Sequence, residues 1–212
     1  HIELPEDIAS METDKMPMTP RRFRRSVPDS TIVRQAFEML KSAKRPVIIA
    51  GNGCIRKRAS QQLRKFCEKT GIGAASTFLA KGCVDMDAEY CLYTIGLQSR
   101  DVVACALEAA DVVLTLGYDM VEYHPNLWNK EGKRHIIHAD FLPAEIDSDY
   151  HPETELVGDL AHTLWMLNER VETNGGLKFD TSHQVTTRLS MQSELSMHKD
   201  DDTQGLIRPQ KV

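Results

Sequence analysis

Two glycine-bearing turns and one acidic strand end are the places where this chain could do chemistry. Gly51-Asn-Gly53 closes the apolar run Pro46-Val-Ile-Ile-Ala50 and opens towards a helix whose first turn holds Arg56, Lys57 and Arg58. Glycines there would let backbone N–H groups approach a phosphate, and a helix start favours an anion. The same glycines would also serve a tight strand-to-helix turn, and the third glycine of a G-x-G-x-x-G fingerprint is replaced by Arg56, so the turn reading is preferred. Gly117-Tyr-Asp-Met-Val-Glu-Tyr123 follows a second apolar run and brings two carboxylates and two phenols to the same sheet edge. Asp119 and Glu122 have the residue types of an acid/base pair, although exposed loop carboxylates are commoner than catalytic ones. Asp140, after His135-Ile-Ile-His-Ala, stands where an acidic residue would hold a ribose hydroxyl or cap the next segment.

Metal chemistry is not indicated. His135 and His138 are three residues apart on a strand and point to opposite faces, so they cannot converge on one ion. Asp200, Asp201 and Asp202 lack the spaced oxygen ligands of a calcium loop. Cys54, Cys67, Cys83, Cys91 and Cys105 are odd in number and show no C-x-x-C spacing, which suits reduced thiols in the cytoplasm.

The elements that must position these residues follow one repeat of apolar strand, glycine turn and helix. Asp29 or Ser30 is placed to cap a helix whose Ile32, Val33, Ala36, Phe37 and Leu40 form one apolar face, with Lys41 and Lys44 near its carbonyl end. A second helix is expected from about Arg58 to Thr70, burying Ala59, Leu63, Phe66 and Cys67 and stopping at Gly71. Gly73 to Thr77 reads as a short strand, 81 to 96 as loop, and Asp101 to Ala110 as a helix. Asp111 to Gly117 and His135 to Asp140 read as buried strands, and Asp159 caps a last helix with Leu160, Leu164, Leu167 and Val171 on one stripe. The expected fold is α/β: a doubly wound, mostly parallel sheet flanked by helices.

Three regions follow: 1–28 as the exit of a preceding domain and a linker, 29–171 as the α/β domain, and 172–212 as a linker into a following domain, with a weak helical pattern through Val185, Leu189 and Leu195. The basic cluster Arg21, Arg22, Arg24 and Arg25 reads as a solvated connector, since the chain carries a net charge of −5 and gives no reason to expect nucleic acid. Hydrophobic residues make up 41% and charged residues 27%, ordinary for a globular protein, and no apolar run approaches the roughly 20 residues that span a bilayer.

Read in order, these motifs resemble the central domain of thiamine-diphosphate-dependent enzymes, most closely the acetolactate synthases. His1-Ile-Glu-Leu-Pro-Glu-Asp resembles the last strand and exit of that family's first domain; Arg45 to Gly53 is similar to its central-domain opening, and Ala80-Lys-Gly82 to the turn after its second strand. Pro143-Ala-Glu-Ile146 and Glu155-Leu-Val-Gly-Asp-Leu160 are similar to its two most recognisable phrases, and Ile207 to Val212 to the threshold of its third domain. Gly117 to Tyr123 with Trp128-Asn129 resembles the catabolic, flavin-free members; Gln98-Ser-Arg-Asp101 and Tyr118-Asp-Met-Val121 stand where flavin-dependent members have a glycine-rich stretch and an arginine-bearing phrase.

The resemblance implies a parent enzyme that condenses two pyruvates to 2-acetolactate with loss of carbon dioxide. It implies thiamine diphosphate and magnesium held by flanking catalytic domains outside these residues, a homo-oligomer, and no FAD. Gly51, Gly53, Gly117, Tyr118 and Asp140 are then the rim of a vestigial nucleotide crevice, and no residue is assigned a catalytic or metal-binding role. The alternatives are a flavin-dependent biosynthetic form and a stand-alone nucleotide-binding or interaction module.

Overall fold

The computed structural model describes residues 3–21, 25–96, 102–130 and 132–197. Asp29 accepts a hydrogen bond from the Thr31 N–H at 2.7 Å and starts a helix, α2 (Ser30–Ser42), after a single helical turn, α1 (Glu6–Ala9). Val33, Ala36, Phe37 and Leu40 of α2 are buried, as their spacing dictates. β1 (Pro46–Ala50) follows and is buried at every position. α3 (Lys57–Thr70) buries Ala59, Leu63, Phe66 and Cys67 and ends at Gly71, whose φ of +72° and N–H bond to the Cys67 carbonyl close the helix. Each large apolar side chain removed from water here stabilises the fold by about 1.5–3 kcal/mol.

The chain continues through β2 (Ala74–Ser76), β3 (Cys91–Thr94), α4 (Ala104–Ala109), β4 (Val112–Leu116), β5 (His135–Asp140), β6 (Thr154–Val157), α5 (Leu160–Thr173) and α6 (Ser182–Ser196). The six strands lie in the order β3-β2-β1-β4-β5-β6, and every pair is parallel. This is the doubly wound sheet that the alternation of strands and helices implies. Alternate strand residues divide two cores. Ile48, Leu114, Ile137 and Leu156 pack under α2, α3 and α5. Val47, Ile49, Val113 and Ile136 pack under α4 and a group of aromatic rings. No helix crosses between β4 and β5 among the described residues; a short 3₁₀ turn, Pro125–Leu127, and the buried rings of Tyr118, Trp128 and Tyr150 cover that part of the sheet instead.

The structure departs from or adds to the sequence reading in four places. The stretch expected as loop from 81 to 96 contains β3, a short strand with a register irregularity against β2 and a φ of +64° at Tyr93. β6 is a further strand, laid at the sheet edge beside β5. Glu3 and Leu4 lie in no regular element, and His1 and Ile2 lie outside the described residues. The weak helical pattern through Val185, Leu189 and Leu195 is a full helix, but those three side chains face outwards while Gln184 and Thr187 are buried. The residues expected as Asp101 of α4, the 98–101 phrase, the Asp200 to Asp202 run and the closing Ile207 to Val212 lie outside the described residues.

Polar groups seal the amino-terminal edge of the sheet. The carboxylate of Asp111 accepts the N–H groups of Lys44 and Arg45 at 2.7 and 2.8 Å. Burial alone would raise its pKa, yet the backbone hydrogen bonds it accepts, those of Lys44 and Arg45 foremost, more than offset that effect and hold it below the usual value. Arg188 of α6 donates to the carbonyls of Cys91 and Met86 at 2.8 and 3.3 Å, tying the helix to the start of β3.

Candidate functional site

The carboxyl ends of β1, β4 and β5 bring the sequence-expected rim residues together. Strand order reverses between β1 and β4, which is where an open parallel sheet leaves a crevice. Here the two glycine turns fill it. The Gly53 N–H donates to the Gly117 carbonyl at 3.1 Å, the Gly51 N–H to Leu116 at 2.8 Å, and the Gly117 N–H to Ala139 at 2.8 Å. A Cβ at Gly53 would stand 2.7 Å from the Gly117 Cα, and one at Gly117, where φ is +56°, would stand 2.5 Å from the Gly53 Cα. Glycine is required because backbone packs on backbone. These three N–H groups are donated to carbonyls of the neighbouring strands and turns and not to the crevice.

One strand further along, between the loops after β4 and β5, a cleft of about 220 Å³ is lined by Tyr118, Asp119, Met120, His138, Asp140 and Tyr150 among others. Cofactor pockets typically enclose about 300–1,000 Å³, so the cleft is small for a dinucleotide. Asp140 lies on its wall, but one carboxylate oxygen is taken by the N–H of Phe141. Tyr118 is buried, receiving the Trp128 indole N–H at 3.1 Å and donating to the Tyr123 carbonyl. Burial pushes the Tyr118 and Tyr150 phenols well above their ordinary pKa, so neither ring is poised to give up its proton.

The proposed acid/base pair does not converge. Asp119 accepts the N–H of Val121 at 2.9 Å, while Glu122 accepts the Thr77 hydroxyl at 3.0 Å and the Leu79 N–H at 2.7 Å. Each carboxylate holds a turn. His135 is exposed and pairs with Glu153, whereas His138 is buried on the other face, so the two histidines separate as strand geometry requires. Among the described residues no group of three or more His, Cys, Asp or Glu is placed to hold a metal ion.

The cleft floor is a buried chain of hydrogen bonds that sequence reading missed. His138 Nε2 lies 3.1 Å from the Leu142 carbonyl, His138 Nδ1 lies 2.8 Å from the Tyr150 hydroxyl, and that hydroxyl lies 2.7 Å from Thr115 Oγ1. A carbonyl only accepts, so Nε2 is the donor there, and the Tyr150 hydroxyl bridges Nδ1 and the Thr115 hydroxyl, which also reaches the Ile137 carbonyl at 3.3 Å. Asn129, also buried, donates to the Asp149 carbonyl at 2.8 Å and accepts the Arg134 N–H at 3.1 Å, clamping the loop after β4 to the loop after β5. Tyr150→Phe strands Nδ1 of His138, while the Thr115 hydroxyl keeps the Ile137 carbonyl at 3.3 Å, and should destabilise the fold by about 1–3 kcal/mol. Urea denaturation measures this; an unchanged midpoint would show that the network contributes nothing.

Two phrases singled out in the sequence meet here as well: the Ala144 N–H of the loop after β5 donates to the Glu155 carboxylate of β6 at 2.9 Å. Residues 33–167, more than half of the chain, match the family model described as "Thiamine pyrophosphate enzyme, central domain". The chain belongs to this family. Among relatives of this thiamine pyrophosphate family, the acetolactate synthase of Bacillus subtilis is 38% identical over 133 residues, covering 62% of this chain and 23% of the relative. The acetolactate synthase large subunit of Corynebacterium glutamicum is 28% identical over 219 residues, covering 100% of this chain and 34% of the relative. A catabolic acetolactate synthase of Raoultella terrigena is 29% identical, covering 81% of this chain and 31% of the relative. The chain therefore spans about a quarter to a third of the length of these curated relatives. No helix among the described residues is long and apolar enough to cross a membrane.

Proposed function

We propose that this chain is the central structural and assembly domain of an acetolactate synthase. The observation that carries the reading is the match of the central-domain model to a sheet whose nucleotide crevice is closed by its own glycine turns. A central domain of this kind spaces the catalytic domains that flank it and contributes to contacts in a homo-oligomer. The parent condenses two pyruvates into 2-acetolactate with release of carbon dioxide. Thiamine diphosphate supplies the carbanion chemistry when bound, and it and magnesium are held by the flanking domains.

Gly51, Gly53, Gly117, Tyr118 and Asp140 form the rim of a vestigial crevice, and residues 29–171 form the domain between two connectors. The filled switch point and the small cleft support a flavin-free form. The five free thiols are consistent with a cytoplasmic enzyme.

The test is to express the polypeptide as its gene encodes it and assay acetolactate formation from pyruvate with added thiamine diphosphate and magnesium. Activity of that polypeptide, with a colourless preparation and none from the 212 residues alone, is the expected result. Turnover by the 212-residue chain alone would overturn the structural role, and a bound flavin absorbance near the visible blue would select the biosynthetic form.

A further inference from the structure

The carboxyl edge of the sheet carries a row of apolar side chains that nothing in the structure covers. Phe78 and Leu79 follow β2, Val121 follows β4, and Phe141 and Leu142 follow β5; all five are exposed, Val121 to 90%. β2, β1, β4 and β5 are consecutive in the sheet, and strands lie about 4.8 Å apart, so the row runs along roughly 15 Å of one edge.

The turns that present these side chains are pinned rather than loose. Glu122 reaches from the loop after β4 to the loop after β2, holding the Leu79 N–H and the Thr77 hydroxyl. Asp119 holds the Val121 N–H, Asp140 holds the Phe141 N–H, and buried His138 holds the Leu142 carbonyl. An apolar rim built on fixed turns is the form of a contact surface, since single-chain domains seldom leave such patches bare.

The chain also enters the domain at this edge. Asp159, just beyond the carboxyl end of β6, donates its N–H to the Ser26 carbonyl at 2.9 Å and accepts Arg25 at 2.5 Å. Pro28 packs on Gly158, where an added Cβ would stand 2.8 Å from its ring. From there α2 runs back to the start of β1 at the opposite edge. Whatever precedes residue 25 is delivered to the side where the apolar rim lies.

We infer that the rim of Phe78, Leu79, Val121, Phe141 and Leu142 is the face on which the preceding domain of the same polypeptide docks. This rests on the reading of the chain as a central domain. Beside the rim stand the carboxylates of Asp119, Asp140 and Glu145, so the complementary surface of the preceding domain is apolar and bordered by lysine or arginine.

Hydrogen exchange of residues 118–123 and 141–146 tests this, comparing the 212-residue chain with the polypeptide as its gene encodes it. The expected result is exchange about tenfold slower or more in the longer protein. Val121→Asp combined with Leu142→Asp should remove that protection and expose residues 10–21 to protease. Trp165→Asp, on the exposed face of α5, should change neither. Equal exchange in the two proteins overturns the inference, as does a gene that encodes no preceding domain. Protection in the 212-residue chain that grows with its concentration also overturns it, because the occupant is then a second copy. Protection without acetolactate formation by the longer protein would leave the docking face standing and the proposed activity refuted.

Discussion

Gly117→Ala should be among the most damaging single substitutions in the chain, lowering stability by about 2–6 kcal/mol. Two independent effects add. A φ of +56° places an alanine in the left-handed region, at about 1–3 kcal/mol, and its Cβ would stand 2.5 Å from the Gly53 Cα. Overpacking of this kind typically adds about 1–3 kcal/mol, and here the obstacle is backbone, which cannot rotate away as a side chain does. For a domain of this size a loss of that order lowers the melting temperature by roughly 5–20 °C. Gly71→Ala is the matched control: its φ is +72°, but an added Cβ meets nothing within 4 Å, so only the conformational cost applies. Circular dichroism melting of the two variants separates the terms. If Gly117→Ala melts within about 2 °C of Gly71→Ala, the contact between the two turns is not what requires glycine.

That contact also explains what could be read from sequence at this edge and what could not. Pro46 to Ala50 and Val112 to Leu116 are continuous apolar runs, and only a strand covered on both faces tolerates them, so β1 and β4 were legible. The stripes of α2, α3 and α5 were legible from their spacing, as was the Asp159 cap, whose Oδ1 accepts the His162 N–H at 3.0 Å. The glycine turns were recognisable as turns. Whether their N–H groups face a ligand or a neighbouring carbonyl depends on two segments more than 60 residues apart, Gly53 and Gly117, and no local pattern records that.

The misses share a cause. β3 spans four residues, is irregular against β2 and has an unusual φ at Tyr93, held beneath the Arg188 guanidinium, which lies 5.3 Å from the ring centroid. Its place is set by tertiary contacts rather than by alternation. β6 alternates buried Thr154 and Leu156 with half-buried Glu155 and Val157, too short a pattern to stand out. The floor of the cleft joins Thr115, His138 and Tyr150 from three separate segments, so its polar residues look unrelated along the chain.

Gln184→Leu should produce the second large loss, about 2–6 kcal/mol, and with it the release of α6. The side-chain oxygen of Gln184 accepts the Gly73 N–H at 2.5 Å, and its nitrogen donates to the Pro46 carbonyl at 2.9 Å. One buried amide thus satisfies the backbone just before β2 and at the start of β1. Leucine fills similar space but leaves both groups unpaired, and each costs about 1–3 kcal/mol. Gly73 leaves no room for adjustment, since a Cβ there would already stand 2.5 Å from that same oxygen. Composition after Val171 suggested a connector, because helices are recognised by an apolar stripe and α6 docks by a polar one. Leu189→Gln, at an outward position, should stay within about 0.5 kcal/mol of the parent chain. Hydrogen exchange over 182–196 decides between the two descriptions: slow exchange that Gln184→Leu abolishes makes α6 part of the domain. Exchange that is fast in both makes it a connector that only rests against the sheet.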